Sequence, residues 1–163
     1  MASDEEADMV AQESPTTAET ARNSCAAQAP SVLVVGTNAH FLRTMVSAFE
    51  GSRLEVRVCA TLAAAQEACR RFRFDLIILD WMVGRLFADE LATLLQSTIR
   101  PRPLPPVGVL SGMDEADTRA CLRPDAPIRG VLSRPAEPAE VVSWAEGLLK
   151  GEEVLESKGS NTC

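Results

Sequence analysis

Apolar residues between positions 31 and 149 fall into short continuous runs separated by longer amphipathic stretches. A continuous apolar run is typical of a strand covered on both faces, because such a strand needs no polar side. The runs predict five strands, at residues 32–35, 54–60, 74–80, 105–110 and 130–133. The second strand alternates in polarity, which indicates a more exposed position in the sheet.

The stretches between these runs repeat apolar residues at three- and four-residue intervals, as amphipathic helices do. They predict five helices, at residues 39–49, 61–71, 88–96, 115–122 and 138–150. Strands that alternate with helices favour a parallel sheet joined by right-handed crossovers. We therefore predict an α/β, flavodoxin-like fold: a doubly wound five-stranded parallel sheet of strand order 2-1-3-4-5 with five helices.

Composition divides the 163 residues into one domain and two tails. Residues 1–30 contain six acids, one arginine and no hydrophobic period, so we expect a disordered acidic N-terminal tail. The folded domain spans 31–149, and 150–163 form a flexible C-terminal tail rich in glycine, serine and glutamate. The net charge of −7 comes mostly from the first of these tails.

Several function classes are disfavoured by the same composition. No basic stripe appears, so we expect no nucleic-acid partner. No apolar segment approaches the ~18 residues needed for membrane insertion, and the acidic start does not resemble a signal peptide. The five cysteines form no CxxC pair and the chain has one histidine, which leaves no ligand set for zinc. We expect a cytoplasmic protein that is not an enzyme and carries no output domain.

Three polar side chains follow three of the predicted strands and should meet at one end of the sheet, where open α/β sheets place their chemistry. They are Asp80, Ser111 and Arg134, the last followed by Pro135. Together the segments VLVVGTN, DLIILDWMVG, PPVGVLSG and VLSRP resemble the receiver domain (CheY-like) of bacterial response regulators. The resemblance covers about residues 31–149.

The resemblance implies a role for each of these residues. Asp80 takes the position of the phosphoacceptor, and Ser111 that of the hydroxyl that hydrogen-bonds a phosphoryl oxygen. Arg134 stands where the family has a lysine, and Pro135 matches the proline that follows it. The family also holds a magnesium ion with two acids that follow the first strand.

The chain departs from this pattern at the positions of the two acids. They fall on Gly36 and Thr37, with Asn38 next, and none of the three is charged. Magnesium needs oxygen ligands in octahedral geometry and usually one or two carboxylates, and Asp80 is the only one here. We therefore expect no cofactor, or at most weak Mg²⁺ binding at Asp80.

Without a metal, Asp80 needs another positive partner. We expect Arg134 to contact it directly or through a water molecule, with Ser111 donating to the same carboxylate. Val131 replaces the aromatic residue that switches position in the family. Trp144, near the border of the apolar stripe of the last helix, joins Val131 as a candidate for the partner-binding surface.

The favoured function is that of an atypical receiver, or pseudo-receiver. It would act in two-component phosphorelay signalling by protein–protein interaction, with little or no Mg²⁺-dependent phosphorylation. Its partner would be a signalling protein such as a histidine kinase or a phosphotransfer protein, and the oligomeric state stays open. Two alternatives remain: Asp80 is a slow but genuine phosphoacceptor, or the neutral pocket of a flavodoxin-like domain binds a small ligand.

Overall fold

A computed structural model describes residues 29–151, so nearly all of both predicted tails lies outside the described residues. The described part contains seven strands: β1 Ser31–Val35, β2 Glu55–Cys59, β3 Leu76–Asp80, β4 Met82–Val83, β5 Leu86–Phe87, β6 Val107–Ser111 and β7 Gly130–Ser133.

Five helices cover the sheet: α1 Ala39–Phe49, α2 Leu62–Arg71, α3 Ala88–Ile99, α4 Glu115–Cys121 and α5 Pro138–Leu149. The α2 helix begins after Thr61, whose Oγ1 accepts a hydrogen bond from the N–H of Ala64 at 3.0 Å. The α5 helix begins at a proline, whose fixed φ suits the first turn. No helix of the described residues is long and apolar enough to cross a membrane.

The main sheet has five strands in the order β2-β1-β3-β6-β7, and every pairing in it is parallel. This arrangement confirms the predicted fold class and strand order. Two apolar clusters fill the two faces of the sheet, one beneath α2 and α3 and the other beneath α1 and α5. Because all the strands run the same way, the residues that follow β1, β3, β6 and β7 lie at one end.

A short hairpin of β4 and β5 was not predicted. Its strands pair antiparallel, outside the main sheet, across a two-residue turn of Gly84 and Arg85. Gly84 has a φ of +64°, a left-handed conformation that favours glycine in such turns. The ring of Phe87 lies 5.4 Å from that of Trp81, so the hairpin folds back beside the end of β3.

The structure corrects both candidates for a partner-binding surface. Trp144 is only 3% exposed, and its ring packs over two strand glycines, Gly108 and Gly130. Val131 is 2% exposed and belongs to the apolar cluster beneath α2 and α3. Neither side chain is available to a partner. Trp144 was predicted at the border of the apolar stripe of α5, but it is buried because Gly108 and Gly130 leave room for its indole.

Candidate functional site

Asp80 ends β3 and is the centre of the candidate site. Only 8% of the residue is exposed, although it is the last residue of its strand. Its Oδ1 accepts two hydrogen bonds, from the N–H of Trp81 at 2.9 Å and from Nη2 of Arg134 at 3.0 Å. No described residue donates to Oδ2. Oδ1 therefore accepts two hydrogen bonds, whereas Oδ2 accepts none from residues 29–151.

Arg134 follows β7 and makes two contacts in the site. It forms the ion pair with Asp80 that the sequence led us to expect. Its guanidinium carbon also lies 5.0 Å from the centroid of the Phe41 ring, within cation–π range. Arginine suits this double role because its planar group can stack and donate a hydrogen bond together.

Phe41 packs directly on Gly36. A Cβ atom built on Gly36 would lie 2.7 Å from two carbons of that ring and 3.4 Å from Cβ of Asp80. Gly36 is buried and follows β1, and the sequence resemblance matches it to the first of the two acid positions of receiver domains. The ring therefore occupies space that an acidic side chain at position 36 would need.

Asn38 stabilises the helix that carries Phe41. Its Oδ1 accepts a hydrogen bond from the N–H of Phe41 at 3.0 Å and so caps the first turn of α1. Thr37, which the sequence resemblance matches to the second acid position, is exposed. Of the three neutral positions, Gly36 allows the Phe41 ring to pack closely, Thr37 presents an exposed hydroxyl and Asn38 caps α1.

Replacing the capping residue tests this assignment. Asn38→Ala should lower the free energy of unfolding by about 1 kcal/mol, because one N–H of the first turn loses its partner. Asn38→Asp is the matched control, since a carboxylate also caps a helix and should preserve stability. Denaturant unfolding of both variants measures the difference, and equal stability of Asn38→Ala and the wild type would contradict the capping role.

The residues at this end do not fit the magnesium site of the family. Asp80 is the only carboxylate of the constellation, and its Oδ1 already carries the arginine. The space next to it holds the Phe41 ring, which offers no ligand oxygen. Nowhere in residues 29–151 do three His, Cys, Asp or Glu side chains group so that they could hold a metal ion. A hard divalent cation lacks the oxygen donors it needs here.

Ser111 ends β6 but makes no hydrogen bond to Asp80, which corrects the expected one. Its Oγ lies 2.8 Å from Oγ1 of Thr118 and accepts a hydrogen bond from the N–H of Met113 at 3.0 Å. Asp80 is paired with Leu110 in the sheet, and side chains alternate between the faces. The next residue along β6 therefore points to the opposite face, where α4 supplies Thr118.

Burial raises the pKa of Asp80 above its ordinary value of 3.8, because a buried carboxylate loses the solvation of its charge. The positive charge of Arg134 and the hydrogen bonds from Trp81 and Arg134 act in the opposite direction and are outweighed. The ionised carboxylate of Asp80 therefore destabilises the folded state, and Arg134 offsets part of this destabilisation.

This shift predicts how stability depends on pH. With a raised pKa in the folded state, Asp80 favours folding below pH 3.8, and that contribution is lost as the pH rises through the folded pKa. Asp80→Asn cannot ionise, so its stability relative to the wild type should increase as the pH rises from below 3.8 through the folded pKa of Asp80. Denaturant unfolding across this range measures the difference, and a constant difference would contradict the shift.

Sequence reasoning missed an ion pair at the same end of the molecule. Asp89, in the first turn of α3, is buried, and its Oδ2 lies 3.3 Å from Nε of Arg123. Arg123 also donates from Nη2 to Oγ1 of Thr93 at 3.0 Å. These contacts hold the segment after α4 against α3. The only sequence signal was an acid at a helix start, which is common without any such partner.

Comparison with known proteins shows the same architecture in solved structures. The receiver domain of a Francisella response regulator is 21% identical, with a TM-score of 0.61 over 75% of this chain and 98% of that one. A LuxR-family response regulator from Aurantimonas is 15% identical, with a TM-score of 0.67 over 82% and 93% of the two chains. A CheY-like receiver protein from Methanospirillum hungatei is 16% identical, with a TM-score of 0.64 over 75% and 94%.

No protein-family model matches the sequence, and no curated protein matches it. At identities of 15% to 21%, the similarity to these structures establishes that the chain has the receiver fold.

Proposed function

We propose that this chain is an atypical receiver that acts in signal transduction by binding a signalling protein. Its Asp80 pocket is set by Arg134 rather than by Mg²⁺-dependent phosphorylation. The receiver fold, shared with domains of response regulators, supports the class of function. The partner belongs to the same signalling class, a histidine kinase or a phosphotransfer protein.

One observation carries the proposal: Arg134 pairs with Asp80 and stacks on Phe41, and Phe41 fills the space above Gly36. A cation already neutralises the carboxylate, and an aromatic ring lies where a metal-binding acid would be needed. Phosphoryl transfer depends on neutralising the charge of the transferred group. This site therefore disfavours phosphoryl transfer to Asp80 and retains the contacts of Arg134 with Asp80 and Phe41.

The ion pair also connects two strands that are not neighbours. Asp80 ends β3, Arg134 follows β7, and β6 lies between them in the sheet. The pair therefore restrains the segment between β7 and α5 against the middle of the sheet. We propose that this restraint holds the face formed by α4, β7 and α5 in a single binding state.

Substitutions of Arg134 test the proposal through partner binding. Arg134→Ala should weaken the capture of a signalling partner from extracts of the native cell, because the restraint is lost. Arg134→Lys keeps the charge and should retain part of the binding. Arg85→Ala removes an exposed arginine from the nearby hairpin and serves as the control.

Asp80→Glu should not act as an activating mimic, since no phosphorylated state is being imitated.

Two results would contradict the proposal. Binding that survives Arg134→Ala unchanged would show that the ion pair does not set the surface. An Asp80→Glu variant that gains binding over the wild type would show that the site is a conventional switch.

A second function is favoured by the free oxygen of Asp80. Because no described residue donates to Oδ2, that atom stays open to a phosphodonor, and Asp80 as a slow phosphoacceptor is the second candidate. A phosphoryl group on the intact protein, absent from Asp80→Asn, would identify it.

A third function, from a different class, is favoured by a cavity beside the site. It has a volume of about 420 Å³ and is lined in part by His40, Phe41, Arg134 and Pro135. A cation above apolar walls suits a small anionic ligand. Native mass spectrometry of the purified protein would reveal such a ligand, and its loss in Arg134→Ala would place it in this cavity.

A further inference from the structure

Two adjoining cavities lie at the amino end of the sheet, opposite the Asp80 site. Their volumes are about 350 Å³ and about 600 Å³, and Arg73, Asp75 and Pro106 line both of them. We call the two together the amino-end groove. The Asp80 site contains none of these residues, so the groove has no role in the function proposed above.

The groove is apolar inside and basic at its rim. Phe72, Phe74 and Leu104 contribute side chains to the first cavity, and Phe72 is 40% exposed although it is aromatic. Arg57 lies above the Phe72 ring at 4.0 Å. The exposed ring of Phe72 can bind an apolar side chain, and the guanidinium of Arg57 above it can bind an acid.

Charge at the rim is unbalanced. The segments that lead into β3 and β6, residues 72–75 and 100–106, contain Arg73, Arg100 and Arg102 but only one acid, Asp75. Oδ2 of Asp75 accepts a hydrogen bond from the N–H of Ser31 at 2.8 Å. Within residues 29–151, Arg73 and Arg100 make no side-chain hydrogen bond or ion pair, and Arg102 donates only to the carbonyl of Cys69. The rim can therefore accept acidic groups.

The N-terminal segment of the same chain has the complementary chemistry and begins at the groove. Ala29 and Pro30 line the second cavity, so residues 1–28 enter the fold at this point. Residues 4–10 read Asp-Glu-Glu-Ala-Asp-Met-Val, four acids followed by two apolar side chains. Methionine adapts well to irregular apolar surfaces.

We propose that residues 4–10 dock intramolecularly in the amino-end groove, with the acids at Arg73 and Arg102 and with Met9 and Val10 against the aromatic wall. Residues 11–28 form the connection. A connection of 18 residues, taken as a random coil, would span about 24 Å end to end, sufficient to return to a groove that begins at residue 29. A link of this length gives an effective concentration of about millimolar.

Docking of this segment makes the N-terminal region a competitor for any partner that binds the same end of the molecule. The inference does not depend on the function of Asp80, because the groove and the site lie at opposite ends of the sheet. Failure of one proposal therefore leaves the other intact.

The test compares backbone amide NMR signals of residues 72–75 and of Arg102 and Leu104 in the full chain. Neutralising the segment with Asp4→Asn, Glu5→Gln, Glu6→Gln and Asp8→Asn should shift these signals, and high salt should shift the wild-type signals the same way. The control is Glu13→Gln with Glu19→Gln, two acids of the same region outside the segment, which should leave the signals in place.

A peptide identical to residues 1–14 then supplies the segment in trans. It should restore the wild-type signals of the neutralised variant, and Arg73→Glu should abolish the restoration. The wild type should bind the peptide at least about tenfold more weakly than the neutralised variant, because its own segment competes at high effective concentration. A variant with Met9→Ser and Val10→Ser should show an intermediate shift.

Three results would overturn the proposal. The first is an absence of change between the wild type and the neutralised variant. The second is a response to neutralising Glu152, Glu153 and Glu156 instead, which would assign the groove to the C-terminal segment. The third is a shift that depends on protein concentration, which would assign it to a second copy of the chain.

Discussion

Trp144→Ala is expected to lower the free energy of unfolding by about 3–5 kcal/mol, the usual cost of removing a large buried aromatic side chain. The indole fills the space above Gly108 and Gly130, where an added Cβ would lie 2.6 Å and 3.3 Å from the nearest indole atoms. Its Nε1 is buried without a hydrogen-bond partner among the described residues. The loss is therefore one of packing, since no hydrogen bond is given up.

Denaturant unfolding measures this effect, and Phe87→Ala is the matched control. Phe87 is 43% exposed and contacts Trp81, so its removal should cost about 1 kcal/mol, the value of an aromatic pair. A Trp144→Ala variant as stable as Phe87→Ala would contradict the buried position of the indole. Any weaker partner binding by Trp144→Ala is expected to follow from lost stability rather than from a lost contact.

The second large effect concerns restoration of the two acids. Gly36→Asp with Thr37→Asp should fail to create a magnesium site, because the new side chain at position 36 overlaps the Phe41 ring. Forcing that overlap should cost about 1–3 kcal/mol of stability. Adding Phe41→Ala and Arg134→Lys removes the ring and the arginine, and should allow Mg²⁺ to bind with three carboxylates nearby.

Isothermal titration with Mg²⁺ compares the wild type, the double variant and the fourfold variant. Phe41→Ala with Arg134→Lys alone is the matched control, because it opens the same space without adding acids and should not bind the ion. Tight stoichiometric binding by the wild type or by the double variant would show that Phe41 does not block the position. That result would also remove the basis of the pseudo-receiver proposal.

Much of the fold could be predicted from the sequence, because continuous apolar runs and helical periodicity are strong local signals. The bounds of α1 and β7 agree with the predicted ranges, and α3 extends three residues beyond its predicted end to Ile99. Weak local signals were missed. The hairpin after Asp80 contains only two residues in each strand, too few to show a period.

The site was predictable in its placement and less so in its contacts. Parallel topology brings Asp80 and Arg134 to one end of the sheet, and the resemblance to receiver domains then led us to expect their ion pair. The direction of Ser111 depends on the register between β3 and β6, which the sequence does not reveal. The role of Phe41 depends on how a helix packs over Gly36, and its sequence position indicated only a core residue.

The pseudo-receiver proposal requires that Asp80 is held by Arg134 and is not phosphorylated in a Mg²⁺-dependent manner. Its most direct test is the intact mass of the full chain after incubation with Mg²⁺ and a small-molecule phosphodonor, beside Asp80→Asn and a receiver domain that retains its acids. Our prediction is that the receiver with its acids gains a phosphoryl group while this chain and its Asp80→Asn variant do not. A stoichiometric, Mg²⁺-dependent gain by the wild type that is absent from Asp80→Asn would contradict it.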